Sequence, residues 1–114
     1  MPILAEAFVV VGGDRERDEA VENWRFIPRA WDRYVNWPDP RAIARDAKSL
    51  PVEEVTSSWV VSDDPTTHAE AISQLFDQGV TEVYVHSGQR DQHAVIDFFG
   101  KQVLPQVNAV GARP

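Results

Sequence analysis

An α/β chain with parallel strands follows from three features of the sequence. Two apolar runs rich in β-branched residues, Ala7–Val11 and Val80–His86, read as strands, the first of them covered on both faces. Each gives way to a turn and then to apolar residues at helical spacing. The order between them is several helices, a short extended piece and one more helix, the alternation that builds parallel sheets.

The first strand closes at Gly12-Gly13. Asp14 is placed to cap the next helix, acids fill its first turn, and Ala20, Val21, Trp24 and Ile27 recur on one face until Pro28 interrupts. Trp31 to Pro40 reads as a loop, because Trp37-Pro38-Asp39-Pro40 cannot continue a helix. Pro40 suits the first turn of a short helix with Ile43, Ala47 and Leu50 inward, and Pro51-Val52-Glu53-Glu54-Val55 starts another. Trp59-Val60-Val61 is a short extended piece. Asp64 as N-cap and Pro65 as first residue then open a helix with His68, Ile72, Leu75 and Phe76 on one face and Gly79 at its C-terminal cap. After the second strand, Asp91 to about Leu104 forms the last helix on Ala94, Val95, Phe98 and Phe99, and residues 105–114 read as a frayed tail.

At 114 residues, 43% of them hydrophobic, the chain is expected to form one α/β segment, 1–114. A net charge of −7 with no long Lys/Arg cluster argues against nucleic acid and against an anionic membrane surface. No apolar run approaches bilayer length, and the absence of cysteine suits a reducing cytoplasm. Two or three parallel strands, however, leave two open edges and a sheet too small to cover its helices, so part of a larger sheet is expected to be missing.

Four segments in register suggest which part. Glu22-Asn23-x-Arg25-Phe26, Asp39-Pro40 before a helix ending Leu50-Pro51-x-Glu53, Trp59-Val60-Val61-x-x-Asp64-Pro65, and Val85-His86 followed by Asp91-Gln92 resemble the C-terminal third of the luciferase-like, coenzyme F420-dependent oxidoreductases, near the glucose-6-phosphate dehydrogenase branch. The resemblance covers about Glu6 to Val107. It implies the last two strands, with their helices, of a (β/α)8 barrel whose deazaflavin lies at the C-terminal strand ends, with FMN as the alternative coenzyme and no metal. It also implies hydride transfer on a small organic substrate. The residues that act on substrate in that family come from earlier strands, so no catalytic residue is assigned here, the coenzyme contacts are unassigned, and the isolated chain is expected to be inert.

The same resemblance puts Tyr34 and Ser58 where the sugar-phosphate enzymes carry a lysine and an arginine, which argues against glucose 6-phosphate; Arg29 or Arg33 is the compensating candidate. With Trp37 and His86 these form the expected substrate-pocket wall, and Trp31 is a further aromatic candidate. The plainer reading of His86 is a partly buried histidine bonded to a neighbouring loop. Ser87-Gly88-Gln89 before a helix is either an anion-binding N-terminus or a turn that needs a glycine. Gly12-Gly13-Asp14 lacks both glycine-rich phosphate patterns, and His68 and His93 lack a second metal ligand at i+4. A reading of another class is a stand-alone interaction module that self-associates through its open strand edges or pairs with a complementary barrel fragment.

Overall fold

The computed structural model of the chain describes residues 1–111, the side chains of 108–111 excepted. Strand β1 (Leu4–Val11) leads to helix α1 (Asp14–Trp24), a 3-10 turn (Ile27–Arg29), a π-helical turn (Ala30–Tyr34) and the short helices α2 (Pro40–Ala47) and α3 (Val52–Val55). Then come β2 (Val60–Ser62), α4 (Pro65–Asp77), β3 (Glu82–His86), α5 (Gln92–Phe98), a π-helical turn (Phe99–Val103) and α6 (Leu104–Gly111).

The three strands are parallel, in the order β2-β1-β3. Val9 to Val11 pair with Val60 to Ser62, and Leu4 to Phe8 pair with Glu82 to His86. Since β1 is central, the crossover to β2 and the one from β2 to β3 run in opposite directions. Parallel crossovers are right-handed, which sends their helices to opposite faces. The two cores follow that division. Val10, Ala20, Val21, Leu50, Val55 and Trp59 fill the side of α1 and α3, while Val9, Ala69, Ile72, Val95, Phe99 and Val103 fill the side of α4 and α5. Alternation along β1 deals Val9 to one core and Val10 to the other.

Among the described residues there are three strands: of the short extended piece Trp59-Val60-Val61, Val60 and Val61 join Ser62 in β2 by pairing with β1. Asp14 is the first residue of α1 and not its cap, so its contribution is its charge in the first turn, 3.5 Å from Arg17. Asp39, Asp64 and Asp91 do cap, accepting from the backbone N–H groups of Arg41, Thr66 and Ala94. Gly79 ends α4 at φ +100°, where a side chain would be strained. Part of the expected loop from Trp31 is helical, and Phe76 and Ala94, expected inward, are exposed. Helix continues through Pro105 to Gly111, into the stretch read as a tail; residues 112–114 lie outside the described residues.

Candidate functional site

Open parallel sheets bind ligands outside the carboxyl ends of their strands, at the point where the strand order reverses. Here that point is the crevice between the ends of β1 and β3, and the chain fills it with its own loop. By register Gln89 falls opposite Val11, three positions beyond His86 and Phe8. Its side chain completes the ladder: Val11 N–H donates to Gln89 Oε1 at 2.7 Å, and Gln89 Nε2 donates to the Val11 carbonyl at 3.0 Å. Ser87 Oγ donates to the same Oε1 at 3.0 Å, and Gln92 Nε2 donates to the carbonyls of Ser87 and Gln89.

Helix α1 clamps the loop from the side. Asn23 Nδ2 donates to the Gly88 carbonyl at 2.7 Å, and Arg90 N–H donates to Glu19 Oε1 at 2.7 Å. A Cβ on Gly88 would lie 2.9 Å from the Ala20 carbonyl oxygen and 3.1 Å from Trp24 Cγ, so only glycine allows this approach. The glycine thus serves loop-to-helix packing. Ser87 and Gln89 are buried, and their polar atoms bond within the loop and to Val11. Arranged this way, Ser87, Gly88 and Gln89 are tied to Val11 and Asn23 at the strand ends, so a deazaflavin could be held there only by breaking these bonds.

His86 sits at the lip of this crevice. Its ring stacks on Phe8 at 5.5 Å and lies 6.3 Å from Trp24, with Nε2 3.6 Å from Glu6 Oε1. Among the described residues that buried Nε2 has no hydrogen-bond partner, so the loop bond expected of a structural histidine is not made there. Ser58 is exposed at the rim of a groove of about 190 Å³ that runs between α4 and β1 past Glu6, Phe8 and His68. His68, fully buried, holds the end of β2 through Nε2, 2.7 Å from the Ser62 carbonyl, and its ring meets Phe98 and Phe99 edge-on.

Tyr34 and Trp37 come together elsewhere, with ring centroids 5.3 Å apart. The Tyr34 hydroxyl donates to Asp46 Oδ2 at 2.5 Å, Arg29 reaches the same oxygen at 2.6 Å, and Arg33 pairs with Oδ1 at 3.0 Å while lying over the Trp37 ring. Burial first, and then the Asp46 carboxylate, push the Tyr34 hydroxyl above its usual range. Asp46 is held below the ordinary carboxylate value, chiefly by the Tyr34 hydrogen bond and then by Arg29 and Arg33. The convergence on Asp46 is not legible in the sequence: Arg29 and Arg33 share a side only because the chain is helical through Tyr34.

The sign of the Asp46 shift fixes a pH dependence. A carboxyl whose folded pKa is lowered stabilises the fold above its unfolded value of about 3.9, and that stability is lost as pH falls through the lowered value. The melting temperature of Asp46→Asn is therefore expected to fall below that of the wild type at neutral pH, with the gap closing under acid. A gap independent of pH between neutrality and strong acid would contradict this role.

A larger groove, about 580 Å³ between α1 and α2, is lined by Glu22, Asn23, Arg25, Phe26, Ile43 and Lys48 among others. Two of its polar walls are already engaged, Asn23 with Gly88 and Arg25 Nη1 with the Leu50 carbonyl at 2.8 Å. Among the described residues no group of three His, Asp or Glu side chains is placed to hold a metal, and no helix is long and apolar enough to cross a membrane.

No protein-family model matches the chain. It is 38% identical over 103 residues to an F420-dependent hydroxymycolic acid dehydrogenase of Mycobacterium tuberculosis, a match covering 90% of this chain and 27% of that protein. It is 34% identical over 91 residues to the F420-dependent glucose-6-phosphate dehydrogenase of Beutenbergia cavernae, covering 80% and 27% respectively. With the enzyme of the same description from Nakamurella multipartita it shares 32% over 103 residues, covering 88% and 30%. The chain thus spans about three tenths of the length of these relatives. It is homologous to the C-terminal part of the luciferase-like, coenzyme F420-dependent oxidoreductases, near their glucose-6-phosphate dehydrogenase branch.

Proposed function

We propose that the chain is the C-terminal portion of an F420-dependent oxidoreductase, supplying its last strands and one wall of the substrate site but neither the catalytic set nor a complete coenzyme site. The observation that carries this reading is the coverage: the match takes in up to 90% of this chain and 27% of the dehydrogenase it resembles at 38% identity. In a (β/α)8 barrel, consecutive strands are neighbours and coenzyme and substrate sit at their C-terminal ends. Joining such a barrel would require β3 to leave β1 and pair beside β2, releasing Gln89 from Val11 and opening the crevice. The complementary barrel fragment would then be the partner, and hydride transfer to or from a small organic substrate the reaction.

Tyr34, Trp37, Ser58 and His86 are the proposed wall. In the isolated chain they form an aromatic pair at Asp46, a groove rim and a strand end. The engagement of Arg29 and Arg33 with Asp46 supports the view that they do not stand in for the phosphate-binding cations. The test is a fluorescence titration of the isolated chain with F420. No saturable binding at micromolar coenzyme is expected, because the crevice is filled; tight binding with retention of the fold would overturn the reading.

A further inference from the structure

Three donors meet at one carboxylate on α2. Arg29 Nη1 and the Tyr34 hydroxyl reach Asp46 Oδ2 at 2.6 and 2.5 Å, and Arg33 Nη2 reaches Oδ1 at 3.0 Å. The Asp46 side chain is 19% exposed and that of Arg29 25%, and Tyr34 is buried. These bonds run between the 3-10 turn, the π-helical turn and α2, all within residues 29–46, and none passes through a strand.

An ion pair needs one cation. Here the guanidinium groups outnumber the carboxylate two to one, and a phenol hydroxyl joins them on the same two oxygens. Charge-assisted donors converging in this way are how proteins hold a free oxyanion. The helix itself does not favour the acid, since Asp46 lies in the last turn of α2, where a negative charge opposes the macrodipole. We propose that Arg29, Arg33 and Tyr34 form a binding site for a small carboxylate, and that Asp46 is its resident ligand, a specificity-determining residue that keeps substrate anions off these cations. The site does not rest on the enzyme reading; its effect on substrate choice does, because it needs Tyr34 and Trp37 to line the substrate wall. With Asp46 in place, that wall offers the Trp37 ring beneath Arg33 in place of an open pair of cations.

Removing the resident carboxylate and supplying one in solution tests the site on this chain, with neither F420 nor a second fragment, so its failure is separate from failure of the enzyme reading. In Asp46→Ala the donors remain and their ligand is gone. Sodium formate is expected to raise the melting temperature of that variant saturably, at concentrations on the order of 10 to 100 mM, beyond the effect of sodium chloride at equal ionic strength. Wild type and Asp46→Asn, whose sites are filled, are expected to respond alike to the two salts. If Asp46→Ala is unfolded in chloride, the same expectation is read as refolding by formate in far-UV circular dichroism. Adding Tyr34→Phe removes one donor to the anion and is expected to raise the half-saturating formate concentration about tenfold or more, the worth of one hydrogen bond to a charged group. An Asp46→Ala chain that responds equally to formate and chloride, or that formate does not refold, would overturn the proposal. Rescue indifferent to the Tyr34 hydroxyl would overturn it as well.

Discussion

Gln89→Ala is expected to destabilise the fold by about 2 to 4 kcal/mol, the cost of stripping two partners from partly buried groups. The amide holds both the N–H and the carbonyl of Val11 and accepts from Ser87. Alanine would leave the last residue of the central strand unpaired on its β3 side and empty the crevice beside it. Denaturant unfolding should show the loss as a lower midpoint. Gln89→Glu separates the two roles, since a carboxylate can still accept from Val11 N–H but no longer donates to its carbonyl. It should be harmful because it sets a charge against a carbonyl. A loss for Gln89→Ala of under about 0.5 kcal/mol, the range of ordinary surface substitutions, would show that the loop does not seal the strand ends.

A protein completed with the missing strands of a relative is expected to use glucose 6-phosphate poorly, and Tyr34→Lys with Ser58→Arg to raise its kcat/KM about 10²- to 10⁴-fold. Two charge-assisted contacts to a phosphate dianion, each worth about 1.5 to 3 kcal/mol, account for that range. The arginines near Tyr34 are not expected to substitute, because Asp46 takes Arg29 at 2.6 Å and Arg33 at 3.0 Å. Steady-state kinetics of the chimera with and without the two substitutions is the check. Efficient turnover before the substitutions would place the phosphate on other residues.

The elements that announce themselves by local chemistry were legible. Asp64 before Pro65 and Gly79 at the far end bound α4 because a cap, a fixed φ and a left-handed residue act within one turn. Strand order was not legible, since β2 and β3 compete for the edges of β1 through backbone bonds that carry no side-chain label. The motif residues of the first helix had readable spacing but unreadable jobs. Asn23 holds Gly88 and Arg25 holds Leu50, long-range ties that exist only once β3 and α3 lie against α1. Gln89 gave no signal at all, because a loop glutamine acting as a strand rung depends entirely on register. His86 was readable as a strand end, and its environment of Phe8, Trp24 and Glu6 came only with the pairing of β1 and β3.

The central claim, that this chain is one part of a deazaflavin enzyme and does not act alone, is tested most directly by complementation. The chain would be co-expressed with the first two thirds of an F420-dependent dehydrogenase of this family, and F420 reduction followed by loss of its absorbance with that enzyme's own substrates and with uncharged alcohols. Turnover by the combined chains, with none from either alone, is the result predicted. F420 reduction by the isolated chain, or failure of the two to associate while both are folded, would contradict it.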